Sequence, residues 1–414
     1  MKDAQGYKGG KSMEHVEIAV VGAGLAGSLT ALALARTGRT VALVAPDAAP
    51  ADGRTTALMD HSLQFLRKLD LWHALADHAA PLASMRIIDG TDRLLRAPTV
   101  TFRSAEIGLP AFGYNIPNAP FLALLEAEIE KQPTLRRLRT TLERIECDAM
   151  ASLFLADGTT LSADLVIGAD GRNSRVRDAA GIETRRWSYP QSAIVLNFAH
   201  RIGHENISTE FHTADGPFTQ VPLPGDRSSL VWVRKPDEAA ATLALPLDAL
   251  SQQVEQRMQS MLGAVAVAVD TPPQSFPLSG MKAAAFGKGR AILIGEAAHA
   301  FPPIGAQGLN LSLRDIMAIE MLLAENGAIP EDIGDRYDRR RRADIVSRTI
   351  GVDLLNRSLL SDFLPVQMLR ASGLQAFASF APLRNLMMRE GLAPGSAMRS
   401  LGESLREKIG RQRA

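Results

Sequence analysis

The turn Gly22-Ala23-Gly24-Leu25-Ala26-Gly27 limits the fold more than any other stretch. Before it lies a short, mostly apolar run, Val16–Val21. After it lies an Ala/Leu-rich segment that Gly38 is placed to end. The first reads as a strand buried in a parallel sheet, the second as a helix. Thr40–Val44 reads as a second buried strand, so the chain opens with a βαβ unit and predicts a doubly wound nucleotide domain. Gly22 permits the tight turn, Gly24 lets backbone approach a diphosphate, and Gly27 lets helix and strand pack closely. The helix start then offers unpaired N–H groups and partial positive charge to the phosphates. The acidic residue that usually ends the second strand and holds the adenosine ribose is absent. Ala45 stands there, followed by Pro46 and Asp47. Asp47, backbone groups and Arg54 are the alternatives for that task.

Leu161–Ile167 and Arg290–Ile294 are two further buried-strand candidates. They end in Gly168-Ala169-Asp170-Gly171 and in Gly295-Glu296. Both are expected to return to the first sheet, which makes the nucleotide domain discontinuous. Between them the texture changes. Ile194–Phe198, Ser208–His212, Phe218–Val221 and Ser229–Val233 are short β-prone runs divided by turn-formers. They predict an inserted antiparallel sheet, to which Met85–Ile88 adds a strand. Leu245–Leu262 reads as helix, and the chain is helical from Asn310 almost to its end. The expected division is a flexible tail over 1–13; a nucleotide domain over 14–84, 103–182 and 275–345; a second domain over 85–102 and 183–274; and a helical region over 346–414. The charge run Arg336–Arg342 reads as a solvated helix face.

A chain of 414 residues exceeds what one hydrophobic core supports. With 46% hydrophobic and 22% charged residues and a net charge of +1, it has no field to draw nucleic acid. Cys147 is the only cysteine, so no intramolecular disulfide forms, which fits a reducing compartment. No apolar run approaches the roughly 18 residues of a spanning helix. The expectation is a soluble, cytoplasmic protein, with attachment to the inner face of a membrane left open. No metal site is expected.

The most informative stretch is Gly295-Glu296-Ala297-Ala298-His299-Ala300-Phe301-Pro302-Pro303-Ile304-Gly305-Ala306-Gln307-Gly308-Leu309-Asn310. An acidic residue closes a strand, a rigid Pro-Pro-x-Gly loop follows, and a helix begins. A strand-end carboxylate suits a sugar-like hydroxyl, and a helix start suits negative charge on a flat ring.

This stretch resembles the G-D-x-x-H-x-x-P-P-x-G-x-x-G-x-N motif of the FAD-dependent aromatic hydroxylases, which share the p-hydroxybenzoate hydroxylase fold. Glu296 stands where that family has Asp. Ile167-Gly168-Ala169-Asp170-Gly171-Arg172-Asn173-Ser174-Arg175-Val176-Arg177 resembles the family's Asp-Gly motif, which is associated with both FAD and NAD(P)H. Gly53-Arg54-Thr55-Thr56-Ala57-Leu58 and Phe112-Gly113-Tyr114-Asn115-Ile116-Pro117-Asn118 look like the ubiquinone-biosynthesis hydroxylases of the UbiH/UbiF/VisC type. The resemblance covers about residues 14–400.

It implies an α/β protein: a discontinuous Rossmann-like FAD-binding domain, an inserted antiparallel-sheet substrate domain, and C-terminal helices. It implies FAD as cofactor and NAD(P)H as co-substrate. No second G-x-G-x-x-G is present, so NAD(P)H is expected without a Rossmann domain of its own. The residues implied for FAD are Gly22, Gly24, Gly27, Arg54, Asp170, Gly171, Gly295, Glu296, Gly308, Leu309 and Asn310. Pro303, Gly305 and Gln307 are implied at the reacting centre. The implied reaction places one atom of O2 on a polyprenylated phenol or methoxyphenol. Other ubiquinone-biosynthesis proteins and a membrane surface are the implied partners. His299 is either an acid–base group or a residue that sets the loop, and the group that activates the phenol is sought at positions such as His212 and Gln220. Apolar segments after residue 360 serve either ordinary packing or a greasy entrance. The alternatives are a monooxygenase of the same family acting on a soluble phenol, and a non-catalytic protein that kept the FAD fold.

Overall fold

The computed structural model describes residues 14–47, 53–91, 97–147, 150–302 and 308–360, with a few positions between 379 and 388. The predicted tail, 1–13, and most of the region after Leu360 lie outside the described residues. Five strands run parallel in the order Ala291–Leu293, Thr160–Gly168, Glu14–Val21, Val41–Val44 and Leu135–Leu138. Val41–Val44 is buried at every residue. A strand covered on both faces carries no polar alternation, which is why the four inner runs read plainly while the edge strand Leu135–Leu138, with Arg136 and Arg137, does not. The helix Leu25–Ala35 covers one face and is buried from Gly27 to Ala35. Its small side chains let it sit among the helices Asn118–Glu130 and Gly308–Ala324. Its hydroxyls are satisfied locally: Ser28 Oγ donates to Ala23 O at 3.1 Å and Thr30 Oγ1 to Ala26 O at 2.7 Å.

The inserted sheet contains Gln274–Ala283, Thr184–His200, Arg227–Arg234, Pro217–Leu223, Ile207–His212, Ser84–Asp89 and Val100–Arg103 in that spatial order. Ile194, Phe198, Leu230 and Trp232 on one face pack under Leu250 and Val254 of the helix Leu247–Arg257. The sheet is antiparallel as expected except at one pairing, where Ile207–His212 runs parallel to Ser84–Asp89. The boundary at 275 also moves, because Gln274–Ala283 pairs with Thr184–Val195 and belongs to the second sheet. Thr184–His200 is 17 residues long. Arg227–Arg234 pairs with one of its edges, and the backbone groups of the other edge require a partner too.

The helix Ile333–Leu360 passes straight through the expected boundary at 345. The run Arg336–Arg342 on it is not simply solvated. Arg341 is buried, and its Nε donates to Oδ1 of the fully buried Asp315 at 2.8 Å. Another nitrogen of Arg341 reaches Asp344 at 2.6 Å, and Arg314 and Arg348 close on the same carboxylate. Burial, and then the neighbouring Arg348, pull Arg314 down to about 10, so it stays charged at neutral pH. Burial and the Asp315 charge hold the Tyr337 hydroxyl well above its usual range.

Removing one partner of such a pair strands a charge in the interior. Arg341→Leu is therefore expected to lower stability by about 3–5 kcal/mol, read as the urea midpoint by circular dichroism. Arg340→Leu, which cuts the exposed pair with Glu325 and an exposed contact to Met321 Sδ, is expected to leave that midpoint nearly unchanged.

Candidate FAD site

The three motifs meet because of strand register. Val21 lies beside Gly168 and Gly168 beside Leu293, so the Gly22 turn, the Asp170 turn and the Gly295 turn leave neighbouring strands at their carboxyl ends. Ligands of open α/β sheets bind in the crevice outside those ends. Backbone bonds fix the level: Ala169 N donates to Val21 O at 2.8 Å and Ile294 N to Gly168 O at 2.9 Å.

Within the first turn the glycines do different work. Gly22 has φ +104°, and a Cβ there would lie 2.3 Å from Ala169 O. A Cβ on Gly27 would lie 1.8 Å from Gly22 O. Gly24 is the contrast, since a Cβ there would meet nothing within 4 Å. It caps the helix Leu25–Ala35 with no side-chain cap and no acidic residue in the first turn. The helix end is thus bare and open, with N–H groups available to an anion.

Asp170 Oδ2 accepts from Arg175 N at 2.7 Å and Val176 N at 3.3 Å, capping the short helix Arg175–Ala179. Its Oδ1 is buried without a partner among the described residues. A buried, unpaired carboxylate oxygen is costly unless a ligand donates to it, which fits a hydroxyl-bearing cofactor. Gly171 continues the turn at φ +78°. Gly295 has φ +56°, and Glu296 behind it faces Arg172, with contacts of 3.4 Å at both oxygens. The Glu296 side chain is 57% exposed, within reach of an incoming group.

One side chain ties two of these turns together. Arg177 is buried, and its guanidinium donates to Ala297 O and Arg172 O, each at 3.1 Å. Its place at the end of the Asp-Gly motif was the available signal. Asn310 is engaged with protein on all sides. Its Oδ1 accepts from Met59 N at 2.9 Å and Ser62 Oγ at 2.6 Å, and its Nδ2 donates to Ala57 O at 2.7 Å. It fastens the start of the helix Gly308–Ala324 to the strand that follows Arg54. Gly308 is exposed at that start and Leu309 half-buried. The Arg54 guanidinium lies 5.6 Å from the Phe276 ring centre, on the second sheet. Pro303, Gly305 and Gln307 lie outside the described residues. His299 is buried, stacked on Phe301, with Nε2 3.4 Å from Asp315 Oδ2.

The acid-free strand end has its own arrangement. Arg137 donates to Ala45 O at 2.6 Å and to Pro46 O at 3.1 Å. Asp47 is paired with Arg139 at 3.2 Å.

A mixed α/β fold with three such turns in one row defines a flavoprotein of the two-domain, sheet-inserted kind. A family model described as an FAD binding domain matches residues 15–349, and the chain belongs to that family. FAD is the cofactor of that family. The chain is 32% identical over 403 residues to the ubiquinone hydroxylase UbiL of Rhodospirillum rubrum, covering 94% of this chain and 92% of the relative. It is 30% identical to the 3-demethoxyubiquinol 3-hydroxylase of Escherichia coli, covering 92% and 99%. Among solved structures, p-nitrophenol 4-monooxygenase PnpA of Pseudomonas putida matches with a TM-score of 0.74 at 19% identity, covering 93% and 98%. HpxO of Klebsiella pneumoniae, solved with FAD and uric acid, matches at 0.73 and 17%, covering 92% and 97%. At those identities the likeness is one of fold.

The two helix-end glycines give a paired prediction. Gly24→Ala is expected to fold normally and lose FAD affinity by about 10²-fold or more, because its methyl enters the diphosphate space. Gly27→Ala is expected to lower the melting temperature of the apoprotein itself. Flavin absorbance after purification, with thermal unfolding of the stripped protein, separates the two.

Proposed function

We infer that this chain is an FAD-dependent monooxygenase that hydroxylates a polyprenylated phenol or methoxyphenol in ubiquinone biosynthesis, with NAD(P)H as reductant and O2 as oxygen donor. The observation that carries this is near full-length similarity to the R. rubrum and E. coli hydroxylases, joined to three motif turns aligned at one sheet end. When bound, FAD supplies the redox chemistry between reductant and O2. The chain's own groups bind, orient and keep water out. The bare helix end at Gly24 receives the diphosphate, and Asp170 and Glu296 offer acceptors to hydroxyls. The segment with Pro303, Gly305 and Gln307 is assigned to the reacting centre by its motif. The second sheet supplies the substrate wall, where Val195, Val221 and Val231 share one face. A dry wall matters, because water diverts activated oxygen to peroxide.

No helix among the described residues is long and apolar enough to cross a membrane. Contact with a membrane surface is proposed because such substrates reside there. Ile350 and Leu354, exposed on the long helix, are apolar surface available for it.

The test is NAD(P)H oxidation by FAD-loaded protein in air, with and without a short-tailed ubiquinone precursor. Oxidation is expected to rise severalfold with precursor, and the product to gain one oxygen by mass. Unchanged precursor with peroxide as the only product would defeat the substrate assignment.

A further inference from the structure

The inserted sheet has two faces with different neighbours. Ile194, Phe198, Leu230 and Trp232 lie under the helices. Residues alternating with them point the other way. On that second face Asn197 Nδ2 donates to Gly53 O at 3.1 Å, and Ser229 Oγ lies 3.4 Å from Thr55 Oγ1. This face is therefore turned to the FAD domain. The register carries it outward through Val195, Val231 and Thr219 to Glu210. Two residues further along the same strand, and so on the same face, is His212.

Glu210 and His212 are tied to one another. His212 Nε2 lies 2.8 Å from Glu210 Oε1, and Thr219 Oγ1 donates to Glu210 Oε2 at 3.3 Å. The carboxylate only accepts, so Nε2 carries the hydrogen and Nδ1 is left as an acceptor. The residue is 7% exposed, and Nδ1, which makes no hydrogen bond among the described residues, is not itself a buried atom. Asp89, registered opposite His212 on the adjoining strand, is the other titratable group beside it. Its oxygens accept from Thr91 and from Ala97 N. Gln220 is a poor alternative, because it donates to Ser228 Oγ at 2.9 Å on the helix-covered face.

A buried imidazole with one nitrogen fixed by a carboxylate and the other open is the arrangement of an oriented general base. We propose that His212 Nδ1 accepts the hydroxyl proton of the phenol, with Glu210 as its positioning residue. The inference rests on the phenol-hydroxylase reading above. In the step the substrate O–H bond breaks and an N–H bond forms at Nδ1. The electron pair left on oxygen spreads into the ring, where it makes the carbon that receives oxygen more nucleophilic. Nothing is oxidised or reduced in this transfer.

The test compares wild type, H212A and E210Q, all FAD-loaded, with a short-tailed prenylphenol. Two readouts are taken across pH: hydroxylated product per NAD(P)H consumed, and the ultraviolet difference spectrum of bound phenol, in which phenolate absorbs to the red. H212A is expected to form product about 10²-fold more slowly at neutral pH and to lose the phenolate band. The deficit is expected to shrink as pH nears about 10, where a phenol ionises unaided. E210Q is expected to be intermediate. An H212A protein with wild-type rate and phenolate band overturns the proposal. Should H212A fail to retain FAD, E210Q decides, and an unchanged pH profile in it overturns the proposal equally. A wild type that holds FAD and forms no product overturns the hydroxylase reading itself, whereas an active wild type with indifferent variants overturns the dyad alone.

Discussion

The register that sets Val21, Gly168 and Leu293 side by side is the constraint from which the cofactor end of the molecule follows. These residues come from three distant parts of the chain, and each is the last of its strand before a motif turn. A slip of one residue along either pairing would move a turn by about 3.3 Å and exchange the faces of a strand. The slip is resisted because both faces are buried, so every misplaced side chain meets an already filled core. The close approach of Gly22 and Gly27 to their neighbours is possible only at this register. The room at Gly24 and the unpaired Oδ1 of Asp170 are its consequences, and they are the two features that ask for a ligand.

A second layer of order comes from polar groups in unusual places. The helix Gly308–Ala324 is held at its start by Asn310, which binds residues 57, 59 and 62, and five residues later by Asp315, which meets Arg341 and His299. Buried ion pairs seldom stabilise more than an apolar replacement would, because desolvation offsets attraction. Their directional bonds do fix position. Here the position fixed is that of a helix start, together with residues 299–301 that lead toward it. Packing energy and site geometry are thus carried by different residues: aliphatic side chains hold the helix down, and Asn310 and Asp315 set where along the sheet it sits.

That division explains what could be seen in the sequence. Four of the five parallel strands were legible because burial on both faces leaves a continuous apolar run, whereas Leu135–Leu138, at the sheet edge with Arg136 and Arg137 inside it, was not; the glycine turns were legible because their steric need is local. The strand Gln274–Ala283 was misplaced because its run, interrupted by Pro277 and Gly280, matches neither pattern cleanly. The small sheet of Thr55–Met59, Gly113–Pro117 and Ala80–Pro81 has strands too short to show an alternation. Arg341 looked solvated because its partner Asp315 lies 26 residues away on another helix. For the site residues the motif located Asn310 and Asp170 but was silent on their partners. Asn310 bonds backbone some 250 positions distant, and half of the Asp170 carboxylate caps a helix. A motif reports where a residue lies more reliably than which of its atoms remain available.

The inserted sheet shows how such a scaffold separates rigidity from chemistry. Its helix-covered face is filled by Phe198, Phe218 and Trp232, with Phe218 and Trp232 in edge contact at 5.3 Å. The opposite face is crossed to the FAD domain by buried polar bonds, Asn197 to Gly53 and Asn115 to Pro222. Each of these amides would be costly to leave unpaired, so the sheet cannot drift from the FAD domain without losing them. Groups carried on the strands of that sheet hold their aim better than groups on loops. Val195, Val221 and Val231 share that face with Asn197, Ser229 and Thr219 and with the His212–Glu210 pair. The valines suit the ring of a greasy phenol, and a carboxylate-held imidazole suits a hydroxyl that must be met at one point.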